Sequence, residues 1–168
     1  NDTYVLNLIG KSHYNLGNNE ESLPYLKRLL EFKPDDLDTF MLLIRIYFNI
    51  KNYEDCIKYC TKFLSIDNSD MVVKRLLTRC YNGIGNEKLA EEMLLEIIKQ
   101  NPKDFESKVT LVRNYYTAQK YEKVHEICNQ ILKQKKSNRM ALIFHARAYT
   151  AKQQFEKALE AWERVLKK

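Results

Sequence analysis

A chain of 168 residues fits one domain of ordinary size. It is 45% hydrophobic and 30% charged with only 4 Gly and 3 Pro, which suits a helical protein with a core and excludes a disordered polymer. The longest apolar run falls far short of the roughly 20 residues that span a bilayer, so the chain reads as soluble, and its net charge of +6 favours anionic partners.

Apolar residues recur at helical spacing from the start, as in Ile9, His13 and Leu16, then Leu23, Leu26 and Leu30. No strand-like alternation competes. Asp2 is placed to cap the first helix, and Asp36, Asp70, Asp104 and Asn138 precede later helices in the same way. A second series, Asn18, Asn52 and Asn86, lies at turns, with Asn18–Glu21 and Asn52–Asp55 reading as capping boxes. Lys120 and Gln154 hold that place later and cap less well. Pro34 and Pro102 end helices because proline cannot continue the hydrogen-bond ladder. Pro24 sits about one turn into a helix and is expected either to delay its start or to bend it.

Each feature returns after 34 residues. In Met71–Asp104 the signature residues are Leu77, Tyr81, Gly85, Ala90, Leu94, Ile97 and Pro102. Tyr81 maps onto Tyr47, Tyr115 and Tyr149, and Ala90 onto Cys56, Val124 and Ala158, with no insertion. This pattern resembles the tetratricopeptide repeat, a 34-residue helix–turn–helix. The resemblance covers essentially the whole chain and implies an all-α, right-handed α-solenoid of five such units: Thr3–Asp36, Leu37–Asp70, Met71–Asp104, Phe105–Asn138 and Arg139–Lys168. These are read as one domain, a piece of a longer protein. The family prefers small residues where Ile44 and Val112 stand, and bulky side chains there are expected to space the helices further apart.

Catalytic chemistry finds no support. Cys56 and Cys60 are one turn apart, but Cys56 and Cys80 fill Ala-like slots and Cys60 and Cys128 share an apolar one, so all four read as core thiols. Thiols without a disulfide pattern point to a reducing compartment, hence a cytoplasmic location. His13 stands in the tyrosine slot and His145 in the slot of Ile9, Leu43, Leu77 and Leu111, which makes both scaffold residues. No metal, cofactor or enzymatic activity is expected.

What the resemblance implies is interaction. In such repeats the first helices line a concave groove, and the ninth position points into it. Here that position is basic throughout: Lys11, Arg45, Arg79, Arg113 and Arg147. The twelfth position supplies Tyr14, Phe48, Asn82 and Tyr116, the fifth Asn7, Met41, Val109 and Ile143, and Arg75 adds a charge one turn from Arg79. Helices packed about 8–10 Å apart would set these cations on the order of 10 Å from each other. An extended peptide advancing roughly 3.3 Å per residue would meet them about every third residue. The competing reading pairs each arginine with an acid on a neighbouring helix, or lays its stem over apolar surface. The family's clamp for chaperone tails is not matched: of Asn7, Lys11, Leu42, Val72 and Leu76, only Lys11 is charged.

The function expected is a scaffold that binds an extended acidic peptide or protein segment in this groove. A polyanionic glycan would also fit, and the alternative is an accessory domain that guides substrate in a larger glycosyltransferase or sulfotransferase. Nucleic acid fits less well, because most tyrosines fall on core slots rather than on a stacking surface. The last helix carries Leu159, Trp162, Val165 and Leu166 with no capping helix after it, so either the natural protein continues past Lys168 or two copies form a homodimer through it.

Overall fold

The computed structural model describes residues 2–167, which form ten helices and no strand. In chain order these are α1 (Asp2–Asn15), α2 (Asn19–Phe32), α3 (Leu37–Asn49), α4 (Tyr53–Ile66), α5 (Met71–Gly83), α6 (Glu87–Gln100), α7 (Phe105–Thr117), α8 (Tyr121–Gln134), α9 (Arg139–Ala151) and α10 (Phe155–Leu166). None is long and apolar enough to cross a membrane. The expected all-α helical repeat is what forms. Two compact units result, one reaching to Ala90 and one starting at Glu91.

The helix starts follow from capping. Asp36 accepts from the Thr39 N–H at 3.0 Å, Asp70 from Val72 and Val73, Asp104 from Glu106 and Ser107, and Asn138 from Ala141. Each satisfies donors that the helix itself leaves free. Asn52 accepts from Asp55 N–H at 3.1 Å, and Asn86 from Leu89 at 3.2 Å. Two expectations fail. Asn18 makes no side-chain cap, so its box with Glu21 does not form. Helix α1 begins at Asp2 itself, which puts Asp2 inside the helix rather than before it. Lys120 and Gln154 cap nothing, as expected. Helix α2 begins at Asn19 with Pro24 inside it, so Pro24 does not delay its start.

The turn within each pair has its own demand. One residue there takes positive φ: Gly17 (81°), Lys51 (59°), Gly85 (74°), Gln119 (57°) and Gln153 (58°). Only glycine enters that region without crowding its Cβ. Three of the five turns therefore hold a strained residue, a spacing that the sequence contains but that composition alone does not announce.

In the first unit, the pairing of α3 with α4 is antiparallel. Phe40 meets Tyr59 (rings 6.2 Å apart), the Ile44 carbonyl accepts from Cys56 Sγ (3.4 Å), and Phe48 meets Tyr53 (6.1 Å). Partner numbers fall as the first number rises. The equivalent contact in α1–α2 is Ser22 Oγ donating to the Gly10 carbonyl at 2.7 Å. A Cβ on Gly10 would lie 2.7 Å from Leu26 Cδ2, so that approach needs a glycine. Ile44 and Val112, bulky in the slot of Gly10, are fully buried. The thiols behave as core atoms. All four are free and buried. Hydrogen bonding with Cys60 helps push the Cys56 thiol up to about 12, and burial pushes Cys128 to the same range, so both stay protonated at neutral pH.

In the second unit, Leu94, Leu111, Tyr115, Ile127, Ile131, Leu142 and Phe144 belong to one buried cluster. Lys108 lies among apolar slots with 2% exposure; its ammonium donates to the Pro102 carbonyl at 2.6 Å, which satisfies it inside the protein. Glu91 is a hub the sequence reading missed. It accepts from Tyr115 Oη at 2.8 Å and from Lys123 Nζ at 2.9 Å. These bonds, that from Lys123 foremost, hold its carboxyl below the usual range.

Candidate ligand-binding surface

The basic series is placed on first helices, and its aromatic companions give it a definite geometry. In the first unit, Arg79 of α5 stacks its guanidinium on the Phe48 ring of α3, 4.5 Å from the centroid. Phe48 is itself held edge-on by Tyr53. Arg45 is exposed, while Lys11 and Tyr14 are half-buried. Arg75 is half-buried, and both it and Asn82 are engaged with neighbours.

In the second unit the arrangement recurs. Arg147 of α9 lies 5.6 Å over the Tyr116 ring of α7 and 6.0 Å from Phe144. Tyr116 is fixed edge-on by Tyr121 and Phe144 at 5.8 and 5.7 Å. Arg113 is exposed. The two stacked arginines follow their rings by the same 31 residues, from the twelfth position of one repeat to the ninth of the next.

The chemistry follows from the stacking. A guanidinium held over a ring within about 6 Å of its centroid gains about 0.5–1 kcal/mol at an exposed site. The contact with the ring uses none of its five N–H donors in a conventional hydrogen bond. Among the described residues neither Arg79 nor Arg147 is ion-paired. Stacking thus orients each cation without neutralising it. Arg79 and Arg147 each lie over a ring, with no acid partner among the described residues.

Two clefts were not anticipated. One of about 260 Å³ in the first unit is lined by Thr3, Tyr4, Asn7, Leu29, Lys33, Asp36 and Asp38. One of about 430 Å³ in the second unit is lined by Asn129, Leu132, Lys133, Lys136 and Arg164. No group of three or more His, Cys, Asp or Glu side chains among the described residues is arranged to hold a metal ion.

Comparison with known proteins agrees with this architecture. The tetratricopeptide repeat model matches residues 3–36 and 40–70. No curated protein matches the sequence significantly. Among solved structures, one of MamA shares 20% identity over 99% of this chain and 91% of that one, with a TM-score of 0.84. MamA from Desulfovibrio magneticus RS-1 shares 17% over 99% and 94%, with a TM-score of 0.81. YrrB, described as a tetratricopeptide protein with an unusual peptide-binding site, shares 16% over 94% and 81%, with a TM-score of 0.74. At these identities the likeness concerns the fold. The first two helix pairs thus match the tetratricopeptide repeat in sequence, and the chain as a whole shares the helical-repeat fold of these structures.

Proposed function

We propose that the chain is a protein-interaction scaffold that takes an extended acidic segment along its first helices. Lys11, Arg45, Arg75 and Arg79, with Tyr14, Phe48 and Asn82, form the surface on the first unit. Arg113, Arg147 and Tyr116 form that on the second. The observation that carries this reading is the pair of stacked, unneutralised guanidiniums, Arg79 over Phe48 and Arg147 over Tyr116. An unpaired planar cation held in place costs little ordering when a carboxylate arrives. The peptide-binding site ascribed to YrrB supports the class of ligand. Free thiols support a cytoplasmic setting.

The test is fluorescence anisotropy with a labelled peptide bearing glutamate at every third position, against its glutamine counterpart. Tighter binding of the glutamate peptide by tenfold or more at low salt is expected. If both bind alike while a sulfated oligosaccharide binds tightly, the reading gives way to the accessory, glycan-guiding one.

A second surface supports self-association. On α10, Leu159 is 63% exposed, Trp162 37% and Leu166 84%. The slot of Trp162 is held by Leu26, Cys60, Leu94 and Cys128 in the other pairs, all buried. We infer that a second copy covers this face. Sedimentation velocity across a concentration series tests it, with Leu159→Glu and Leu166→Glu expected to abolish the larger species.

A further inference from the structure

At the junction of α8 and α9 two histidines are packed into a site that disfavours a charged imidazole. His125 of α8 and His145 of α9 have ring centroids 4.7 Å apart, and Tyr149 stacks on them at 4.1 and 4.8 Å. His145 is 7% exposed. Both His125 ring nitrogens and His145 Nε2 are buried with no hydrogen-bond partner. A neutral imidazole tolerates this at a modest cost, whereas an imidazolium needs acceptors for both N–H groups.

The charges around the pair make matters worse for a proton. Facing it are Glu122 on α8, Lys152 just after α9, and Lys157 and Arg164 on α10. Glu122, the sole carboxylate of that set, is already ion-paired with Lys152. Lys157 Nζ lies 5.9 Å from the Tyr149 ring centroid. Three cations and one engaged anion leave nothing to receive an imidazolium.

We propose that His125 and His145 form an acid-sensitive latch, whose protonation breaks the α8–α9 junction and releases the α9–α10 pair. Burial, foremost, lowers the His125 pKa from 6.5 to about 4 and lowers that of His145. The unfolded pair therefore binds protons more readily than the folded one. Stability is fully present above about pH 6.5 and is lost as pH falls from there towards 4. An α9–α10 pair parted from α8 loses the neighbour that buries its inner face and is expected to unfold locally.

Two probes read this. Trp162 is the single tryptophan, and its Nε1–H donates to Thr150 Oγ1 on α9 at 3.3 Å, so its emission reports the pair. Amide exchange, corrected for intrinsic rates, reports residues 139–166 separately from 19–83. Between pH 7.5 and 5, protection of 139–166 is expected to fall about tenfold or more beyond that of 19–83, with Trp162 emission shifting red. In His125→Ile/His145→Leu, which installs residues the sister repeats hold in these slots, the difference should vanish. Equal pH profiles in wild type and variant, or equal loss over both regions, would overturn the latch. If the double variant does not fold, ring titration by NMR decides: a His125 pKa at or above 6.5 in the native protein is incompatible with the proposal.

Discussion

The α4–α5 and α8–α9 junctions occupy the same repeat slots 68 residues apart, yet differ in chemistry. The first presents Ile57, Leu77 and Tyr81, with Leu77 buried. The second presents His125, His145 and Tyr149. Both sets pack at helix–helix contacts of the same kind, so the slot decides where a side chain goes. It does not decide whether that side chain can titrate. A neutral apolar junction is indifferent to pH between 7 and 4, whereas an imidazole pair without acceptors is not.

Breaking the apolar junction should have the largest effect. Leu77→Ala is expected to cost about 2–5 kcal/mol, by lost burial and a residual cavity, in urea melts of the first unit. The loss should be the same at pH 7 and pH 5. A loss that grows on acidification would place a titrating group where none is argued.

The second unit depends more on polar contacts, and Glu91 is the sharpest probe of that contrast. Glu91→Gln removes the charge from bonds to Lys123 and Tyr115 and should cost about 1–2 kcal/mol at neutral pH. Because the folded carboxyl titrates below its ordinary value of 4.5, its contribution is present above that pH and fades as pH falls through the lowered one. Wild type and variant should therefore converge in stability as pH falls through that lowered value. Parallel curves would show that Glu91 acts through packing instead.

The stacked arginines offer a smaller, matched comparison. Phe48→Leu and Tyr116→Leu keep an apolar surface but remove the ring face, and each is expected to weaken acidic-peptide binding by about 0.5–1 kcal/mol. Similar losses in both units would show that stacking matters equally at the two rungs.

Smallest of all are the turns. Lys51→Gly, Gln119→Gly and Gln153→Gly relieve positive φ and should each raise stability by up to about 1 kcal/mol, while Gly85→Ala should lower it. Thermal melts of the single variants suffice.

Much of this was legible in the sequence because repeats convert position into environment. The tyrosine of Met71–Asp104 and its copies, the caps at Asp36, Asp70, Asp104 and Asn138, and the Ala-like slot that Cys56 fills all follow from spacing. What was not legible depends on contacts between repeats. The bonds that reach Glu91 from Tyr115 and Lys123 join residues 24 and 32 positions apart, and no periodic rule couples them. Asn18 illustrates the opposite limit: a residue of the right type stands in the right place, and its side chain makes no cap. For the basic series, position was readable but state was not. Whether Arg79 met an acid or a ring depended on Phe48 of the preceding repeat, 31 residues earlier.

The central claim is that oriented, unneutralised cations receive an acidic segment, and its most direct test is the salt dependence of binding by Arg79→Gln/Arg147→Gln. Wild type should bind the glutamate peptide with an affinity that falls steeply as salt rises, since exposed charges are screened beyond about 10 Å at 0.1 M. The double variant should bind at least tenfold more weakly at low salt and lose most of that slope. Unchanged affinity and slope in the variant would contradict the account.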